Sequence, residues 1–344
     1  MEQTTEGLQR RRRRRRRLKM HYRILLGVLV CLTLIALFRR ILPRKTEKEI
    51  EAVEAFAAVE ELTVEEAAVE EKKAFGLKAG PDTLRLDEEV QSEFALIADA
   101  KTGEIIAEKH AGEKMYPASM TKVLTLLVAS EHISETSGTF TMTREIADYC
   151  FTNECSVVGY VVGETVPIEE LFYGCILCSG ADASLALAQL SADSHEVFVE
   201  WMNAKADELG LSDVAHFTNC VGVFDETHCC TVEDMALILR AALENPHCRT
   251  VLSTPIFMSE PTQEHPDGQV LSNWFVRRIQ NQDTGLASPL CGKTGYVPQS
   301  GNCAVSYAED ASGHGYLCVT GKSASSWQTV YDHALLYRDY IKDN

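Results

Sequence analysis

The segment at residues 116–129 constrains this chain more than any other feature. Tyr-Pro-Ala-Ser-Met-Thr-Lys at residues 116–122 runs directly into an apolar stretch, a pattern that predicts the start of a buried helix. Residues three apart share a helix face, so the hydroxyl of Ser119 and the amine of Lys122 lie within reach of each other. Serine becomes a good nucleophile when an adjacent base takes its proton. Ser119 is therefore a candidate nucleophile and Lys122 its candidate base, although this motif alone also fits an ordinary capped helix with a solvated lysine.

A second serine follows in a similar local context. Ser179 lies between a helical pattern at residues 169–178 and another at residues 182–192. A hydroxyl presented in such a loop can relay a proton between the lysine and a leaving amine. The alternative is a structural role as the N-cap of the second helix.

A third motif, Lys-Thr-Gly, begins at Lys293 near the end of a predicted strand. Its lysine is a candidate second cation, which together with burial favours the neutral form of Lys122. Lys293 and Thr294 have the donors needed to hold a carboxylate, and Gly295 leaves room for a close approach of backbone. A lone tripeptide of this kind has little specificity. Its assignment as a functional motif depends on its position after the other two motifs.

The charge of the chain is divided along its length. Residues 1–45 carry fourteen Lys and Arg against two Glu, whereas the remaining 299 residues carry nineteen against forty-eight. An acidic body argues against nucleic-acid binding, which needs clustered Lys and Arg. The arginine run at residues 10–17 instead precedes an apolar run of fifteen residues at 24–38, and this order favours a membrane topology signal.

This N-terminal pattern predicts a basic cytoplasmic tail at residues 1–20 and a transmembrane anchor at residues 21–42, with the body outside the cell membrane. A cleaved signal peptide is the alternative, although Arg39 and Arg40 fit poorly after its apolar core. Residues 43–81, rich in Ala and Glu, are expected to be a linker, and residues 82–344 the catalytic domain.

Twelve cysteines are many for an exported protein. Eleven lie in the body, so at least one stays unpaired or pairs between chains. Cys175 and Cys178 form a C-x-x-C pair, which raises the question of a redox or zinc site. Because no second such pair and no suitably spaced histidines accompany it, we expect core packing here, with no metal and no cofactor.

The periodicity of the body predicts an α+β fold, with one sheet covered by helices. Apolar runs at residues 94–98 and 104–108 predict a hairpin, and the centre of the chain is helical. After residue 250, the pattern predicts short strands, followed by a last helix at residues 327–341. The predicted helices are 121–131, 169–178, 182–192, 196–209 and 232–243, the last capped by Thr231, and the late strands are 250–258, 290–294, 302–307 and 315–320.

Taken together, the three motifs are those shared by penicillin-binding proteins and class A β-lactamases. Their order and spacing, with Tyr-Pro-Ala-Ser before the nucleophile and His-Phe-Thr-Asn at residues 216–219, resemble the low-molecular-weight penicillin-binding proteins of peptidase family S11. The resemblance covers residues 83–344 and implies the penicillin-binding protein/serine β-lactamase-like fold, an antiparallel sheet covered by helices with an α-helical subdomain.

The resemblance also implies a serine-type D-Ala-D-Ala carboxypeptidase. Ser119 would attack the peptide carbonyl of peptidoglycan stem pentapeptides, with the backbone N–H groups of Ser119 and Tyr296 as the oxyanion hole. Lys293 and Thr294 would bind the terminal carboxylate, and Gly295 would lie beside them. β-Lactam antibiotics would acylate the same serine as covalent inhibitors.

The chain departs from the family pattern at three points. Ala181 stands where the second motif usually has Asn, residues 321–329 hold Lys322 but no Arg, and no β-rich C-terminal domain follows the last helix. The first departure keeps open a membrane-anchored penicillin sensor or scaffold with weak turnover. A serine β-lactamase is less favoured, because residues 207–219 offer Glu208 and Asn219 without the deacylating Glu-x-x-x-Asn loop.

Overall fold

The computed structural model describes residues 76–342. A six-stranded sheet in the order β1-β3-β2-β10-β9-β8 organises this part of the chain, with two additional two-stranded sheets, β4-β5 and β6-β7. The strands are β1 (Lys78–Arg85), β2 (Phe94–Asp99), β3 (Glu104–Lys109), β4 (Thr139–Thr141), β5 (Thr165–Pro167), β6 (Ile256–Met258), β7 (Val270–Ser272), β8 (Ser288–Val297), β9 (Gly301–Glu309) and β10 (Gly315–Ser323).

Helices occupy the centre and the end of the chain. A 3₁₀ turn, Ala118–Thr121, leads into the first of them. The α-helices are α1 (Lys122–His132), α2 (Arg144–Thr152), α3 (Ile168–Leu177), α4 (Ala181–Ser191), α5 (His195–Glu208), α6 (Val232–Glu244), α7 (Pro246–Leu252), α8 (Trp274–Ile279) and α9 (Ser326–Tyr340).

The middle strands of the sheet are buried on both faces. Successive side chains of a strand point to opposite faces, and β10 follows this rule: Leu317 and Val319 belong to one apolar cluster, whereas Tyr316 and Cys318 belong to the other. The first cluster contains the central helices α1, α3, α4 and α6, and the second contains α8 and α9. The sheet is therefore a middle layer between two helical layers, as the α+β prediction requires.

Helix starts follow from side-chain capping. Thr231, predicted as a cap, accepts a hydrogen bond from Asp234 N at 3.0 Å, and the Asp234 carboxylate accepts one from Thr231 N at 2.8 Å. This reciprocal pair satisfies two amides that the first turn of α6 leaves open. Thr143, Ser194 and Ser325 each accept a hydrogen bond from a first-turn amide of the helix that follows them.

The predicted hairpin, the five helices of the central block, the last three strands of the sheet and the closing helix are confirmed to within a few residues. One prediction was wrong. In the expected strand at residues 250–258, residues 250–252 are the end of helix α7, residues 253–255 are irregular, and only Ile256–Met258 is extended. Asn245 caps α7 with its side chain and Pro246 occupies its first turn, a start signal that outweighs the β-branched residues after it.

The edge of the sheet was also not anticipated. Strand β1 begins at Lys78, ahead of the expected domain boundary at residue 82, and pairs with β3 in parallel. The other pairs of the six-stranded sheet are antiparallel. The basic tail, the anchor and most of the linker that the sequence predicts lie outside the described residues. Within residues 76–342, no helix has the length and apolar character needed to cross a membrane.

Candidate active site

Ser119 lies in the 3₁₀ turn that leads into helix α1. This turn places the Ser119 hydroxyl over the first residue of the helix, and Lys122 Nζ donates a hydrogen bond to Ser119 Oγ at 3.0 Å. Lys122 Nζ also donates to the carbonyl oxygen of Val221 at 2.6 Å. Only 2% of Lys122 is exposed. The sequence predicted that Ser119 lies in the first turn of the helix that carries Lys122, whereas the structure has a 3₁₀ turn at Ser119 and begins the α-helix at Lys122.

Burial determines the protonation of this lysine. The loss of solvent lowers the pKa of Lys122 below its usual value and outweighs the opposing effect of nearby Cys175. The lowered pKa increases the fraction of neutral amine near pH 7. A neutral amine 3.0 Å from a serine hydroxyl is able to accept its proton.

Ser179 occupies the short connection between helices α3 and α4. Its backbone has a φ of 55°, a left-handed conformation that is rare for a side-chain-bearing residue. Lys293 Nζ donates a hydrogen bond to Ser179 Oγ at 2.9 Å. The N-cap of α4 is Gly180, without a side-chain cap, so the capping role that the sequence left open for Ser179 does not occur. A strained backbone that presents a hydroxyl to a lysine is a feature typical of functional sites.

Strand β8 brings the third motif against the first. Lys293 is buried, and its Nζ also donates to its neighbour's carbonyl, Thr294 O, at 2.6 Å. A Cβ added to Gly295 would lie 2.9 Å from Ser119 N and 2.7 Å from Pro117 O. Only a glycine therefore lets the edge strand approach the nucleophile turn this closely.

The two lysines influence each other electrostatically. Burial, followed by repulsion from Lys122, lowers the pKa of Lys293 to about 7. The site thus contains two Ser–Lys pairs, Ser119–Lys122 and Ser179–Lys293, contributed by three separate elements. At neutral pH the pKa values favour a site in which the two amines do not both carry full charge.

Residues 219–223 form a loop that contacts Lys122 through the Val221 carbonyl and for which the sequence predicted no role. Asn219 Oδ1 accepts hydrogen bonds from the amides of Val221, Gly222 and Val223, at 3.2, 2.7 and 3.0 Å. These bonds fix the turn whose Val221 carbonyl contacts Lys122. The His-Phe-Thr-Asn match included Asn219, but only the structure shows that its side chain organises this turn.

His228 connects the residues just before this loop to the turn that carries Ser119. Its Nδ1 accepts from Thr218 N at 3.0 Å, so its Nε2 carries the proton that bonds to Thr121 Oγ1, 2.8 Å away. Burial lowers the pKa of His228 to about 4, which keeps the ring neutral and this tautomer in place. The imidazole therefore joins the loop to the nucleophile turn through two directed hydrogen bonds.

An open cavity of about 230 Å³ leads to Ser119. Its walls are three loop segments together with the two residues of the first motif. The lining residues are Ser119, Lys122, residues 153–156, residues 221–224 and residues 296–299. Tyr296 is among them and is 60% exposed, so the end of β8 forms one open wall.

The structure places Ala181, which stands where the second motif usually has Asn, at the first position of helix α4. Ala181 is buried, and its amide donates to Ser156 O at 2.8 Å. The neighbouring Asp182 carboxylate accepts hydrogen bonds from Val158 N and Gly159 N at 2.9 and 3.0 Å. The start of helix α4 thus anchors the loop that forms the cavity wall, a role that the sequence did not predict for Asp182.

Lys322 and the C-x-x-C pair do not belong to the Ser119 cavity. Lys322 forms an exposed ion pair with Glu93, with Nζ 2.7 Å from Oε2. Cys175 packs in the core, where Ser184 Oγ donates to its sulfur at 3.2 Å. It and Cys178 are free thiols, as are the other nine cysteines of the described region. The core-packing interpretation of the pair fits these contacts.

A sheet between two helical layers, with a serine hydrogen-bonded to a buried lysine at its edge, is the arrangement typical of the penicillin-recognising serine enzymes. The chain belongs to peptidase family S11, described as D-alanyl-D-alanine carboxypeptidase, whose sequence profile matches residues 81–324.

Curated relatives agree with this membership. The chain is 32% identical over 173 residues to D-alanyl-D-alanine carboxypeptidase DacF of Bacillus subtilis, covering 50% of this chain and 43% of the relative. It is 32% identical over 207 residues to DacB2 of Mycobacterium tuberculosis, covering 59% of this chain and 65% of the relative. In both comparisons the matched region is therefore less than two thirds of the relative's length.

The fold is also that of solved structures. The Streptomyces K15 DD-transpeptidase has a TM-score of 0.66 and 24% identity, with 72% of this chain and 97% of that chain covered. A D-alanyl-D-alanine carboxypeptidase from Mycobacterium tuberculosis has a TM-score of 0.62 and 25% identity, covering 71% and 89%. The predicted penicillin-binding protein fold is confirmed.

Proposed function

We propose that this protein is a serine D-Ala-D-Ala carboxypeptidase that removes the terminal D-alanine from peptidoglycan stem pentapeptides. The observation that carries this proposal is the hydrogen bond of 3.0 Å between Ser119 Oγ and the amine of a lysine that is 2% exposed. Such a serine has its base already in contact, and membership of family S11 supplies the substrate class.

The reaction begins at the Ser119–Lys122 pair. Neutral Lys122 takes the hydroxyl proton as Ser119 Oγ attacks the carbonyl carbon between the two D-alanines. The backbone N–H groups of Ser119 and Tyr296 stabilise the resulting oxyanion. When the tetrahedral intermediate collapses, the peptide C–N bond breaks and the serine ester remains.

The second pair serves the leaving group and the carboxylate. Ser179 passes a proton from Lys122 to the departing D-alanine nitrogen. Protonated Lys293 and the hydroxyl of Thr294 hold the terminal carboxylate. Water then attacks the ester with Lys122 again as base, releasing the shortened peptide and restoring the Ser119 hydroxyl.

The same geometry accounts for sensitivity to β-lactams. A β-lactam carries a strained amide and a nearby carboxylate in the arrangement of D-Ala-D-Ala, so the attack of Ser119 opens the ring. The opened ring stays attached to the ester and hinders the approach of water, so deacylation is slow and the antibiotic acts as a covalent inhibitor.

We further propose that the catalytic body acts outside the cell membrane, attached through the N-terminus. The support comes from sequence alone: a basic segment at residues 10–17 precedes an apolar run at residues 24–38. This order is typical of a single span with its N-terminus in the cytoplasm. Its test is protease protection of the N-terminal tail in intact and permeabilised cells, in which protection lost only on permeabilisation supports a retained anchor.

Release of D-alanine from a pentapeptide tests the proposed activity directly. We expect steady turnover by the wild-type protein and a loss of about 10³-fold or more in Ser119→Ala, because the acyl-enzyme cannot form. Ser325→Ala, which removes only a helix cap, is a matched serine control. Penicillin labelling without D-alanine release would contradict the carboxypeptidase and support a sensor, and rapid β-lactam turnover would support a β-lactamase.

A further inference from the structure

Two of the eleven free cysteines in the described region are partly exposed, Cys155 and Cys178, and the other nine are buried. Cys155 belongs to the segment at residues 153–156, which forms one wall of the Ser119 cavity. Together with Cys150, it also lines a neighbouring cavity of about 510 Å³. A small reagent can therefore reach the Cys155 sulfur through the same space by which a substrate reaches Ser119.

Cys150 lies directly beside Cys155. Helix α2 ends at Thr152, and the chain reverses at Glu154, which has a φ of 51°. This reversal lets Cys155 N donate a hydrogen bond to Cys150 O at 2.9 Å. The two side chains also contact each other as hydrogen-bond donor and acceptor. Because a disulfide has a restrictive geometry, two cysteines that already face each other are the ones able to form it with little backbone movement.

The two thiols of this pair differ in reactivity. The hydrogen bond from Cys150 lowers the pKa of Cys155, and the charge of Lys122 adds to this effect. The same contact, followed by burial, raises the pKa of Cys150. Burial likewise raises the pKa of Cys178, the other partly exposed thiol. Since the thiolate is the form that attacks a disulfide, Cys155 is the sulfur that reacts first.

We propose that Cys150 and Cys155 are a redox-active dithiol, in which Cys150 removes adducts from Cys155 and so keeps the Ser119 cavity open. The reagent that modifies Cys155 is a low-molecular-weight disulfide, RSSR. This inference goes beyond the proposed function, because it concerns sulfur chemistry in the cavity wall and not the acyl-enzyme.

The chemistry consists of two exchange steps. The Cys155 thiolate attacks one sulfur of RSSR, so an S–S bond to Cys155 forms, the bond within RSSR breaks, and one RS⁻ leaves and takes a proton from water. The Cys150 thiol then loses its proton to water and attacks the Cys155 sulfur. The protein disulfide forms as the second RS⁻ leaves and is protonated. Overall, one RSSR is reduced to two RSH while the dithiol is oxidised.

The first step alone would obstruct the catalytic site. The mixed disulfide places the R group at the wall of a cavity of only about 230 Å³ that leads to Ser119. The second step releases this group and leaves a compact disulfide in the wall. The far end of the wall stays in place, because Ser156 O accepts a hydrogen bond from Ala181 N at 2.8 Å. The oxidised pair should therefore leave the approach to Ser119 open.

Glutathione disulfide tests the proposal on the purified protein. Peptide mapping by mass spectrometry reads the state of each cysteine, and a fluorescent penicillin reads the acylation of Ser119. We expect the wild type to form the Cys150–Cys155 disulfide, to release two glutathiones and to keep the acylation rate of the untreated protein. Cys150→Ser should instead retain one glutathionyl group on Cys155. Its acylation rate should fall by about tenfold or more, because the adduct hinders productive positioning at Ser119.

Three controls assign the effect to the pair. Cys155→Ser should form neither the disulfide nor the adduct at this wall. Cys178→Ser, which removes the other partly exposed thiol, should form the disulfide as the wild type does. Dithiothreitol should restore the acylation rate of treated Cys150→Ser to its value before treatment, which separates obstruction by the adduct from a loss of folded protein.

The outcomes are distinguishable. A wild-type protein whose Cys155 stays unmodified, or stops at the mixed disulfide, refutes the dithiol. If Cys150→Ser carries the adduct and still acylates at its untreated rate, the adduct does not obstruct the cavity and the clearing role is wrong. If the untreated wild type takes up no penicillin, the proposed function fails, whereas the disulfide is still read independently by mass spectrometry.

Discussion

Two lysines of the same chemistry have opposite tasks in the proposed reaction. Lys122 must be neutral to take a proton, whereas Lys293 must be protonated to hold a carboxylate. Burial lowers the pKa of both amines, and repulsion between them opposes the doubly charged state. An incoming substrate carboxylate stabilises the proton on Lys293. Substrate binding therefore reinforces the charge distribution that the chemistry needs.

A pH profile tests this division of tasks. Activity should rise with pH as Lys122 loses its proton, and fall as Lys293, with a pKa of about 7, loses its own. The falling limb of kcat/KM in the free enzyme should therefore begin near pH 7 for a substrate with a free C-terminal carboxylate. A substrate that ends in D-alaninamide carries no such carboxylate, so its falling limb should be absent or strongly reduced. Identical falling limbs for both substrates would contradict the role of Lys293.

Gly222 offers a residue-scale test of the contact between loop and nucleophile turn. It has a φ of 83°, and an added Cβ would lie 1.9 Å from Ala118 O. Gly222→Ala must displace the turn that carries Ser119, so we expect the rate of penicillin acylation to fall by about 10²-fold or more. The backbone strain alone should cost about 1–3 kcal/mol of stability.

Gly210→Ala is the matched control for this substitution. Gly210 also has a positive φ, of 67°, but an added Cβ would meet nothing within 4 Å. It reproduces the backbone strain without the collision. If both variants lose stability equally and both keep the wild-type acylation rate, the close approach of Gly222 does not position Ser119.

At the scale of secondary-structure elements, helix α4 determines the shape of one cavity wall. Asp182, in its first turn, accepts hydrogen bonds from Val158, Gly159 and Tyr160 amides at 2.9, 3.0 and 3.4 Å. A single carboxylate thereby orients three consecutive peptide groups. This contact ties the loop at residues 158–160 to the start of helix α4.

Asp182→Asn should loosen this wall. The amide replaces one accepting oxygen by a donor, so a loop N–H loses its partner, at a cost of about 1–3 kcal/mol. We expect faster hydrogen exchange across residues 156–163, read by mass spectrometry, and slower acylation of Ser119. Asp213→Asn, at an exposed position, should change neither quantity. Unchanged exchange at residues 156–163 in Asp182→Asn would show that the loop is held by other contacts.

The elements differ in how far the sequence predicts them. Helix α1 and the antiparallel strands β8 to β10 carry strong periodicity and short-range motifs, so the placement of Lys122 on a helix and of Lys293 on a strand could be predicted from the sequence. The roles of Asn219, Asp182 and the Val221 carbonyl could not, because they depend on chain folded back from distant positions. Strand β1 has no apolar alternation, since it lies exposed at the sheet edge. Helix α7 was missed because its β-branched residues indicated a strand. In the structure, the Asn245 cap starts a helix there instead.

At the scale of the whole molecule, the described region is held together without disulfides. Its eleven cysteines are all free thiols, and most are buried in the two apolar clusters. Burial raises the pKa of several of these thiols, including Cys303 and Cys291, each to about 12. A thiol that stays protonated is a poor nucleophile, so the core packing itself protects these sulfurs from exchange.

Two buried histidines connect the stability of both helical layers to pH. His228 bonds to Thr218 beside the active-site loop, and burial lowers its pKa to about 4. His333 lies in helix α9 on the other face of the sheet, where Ser306 Oγ and Thr320 Oγ1 are 2.7 and 3.0 Å from its ring nitrogens, and burial lowers its pKa to about 3. Both rings are neutral in the folded protein, whereas the unfolded chain protonates them below a pH of about 6.5.

The free energy of unfolding should therefore fall as the pH drops below about 6.5, because the unfolded state then binds more protons than the folded state. Each histidine should contribute about 1.4 kcal/mol per pH unit, with the contribution of His228 levelling off near pH 4 and that of His333 near pH 3. Urea unfolding at pH 7.5, 6 and 5 measures this slope. In His333→Gln the slope should fall by about 1.4 kcal/mol per unit, and in His110→Gln, an exposed control, it should not change. An unaltered slope in His333→Gln would mean that the ring is protonated in the folded core, and the hydrogen bonds assigned to its neutral form would then be wrong.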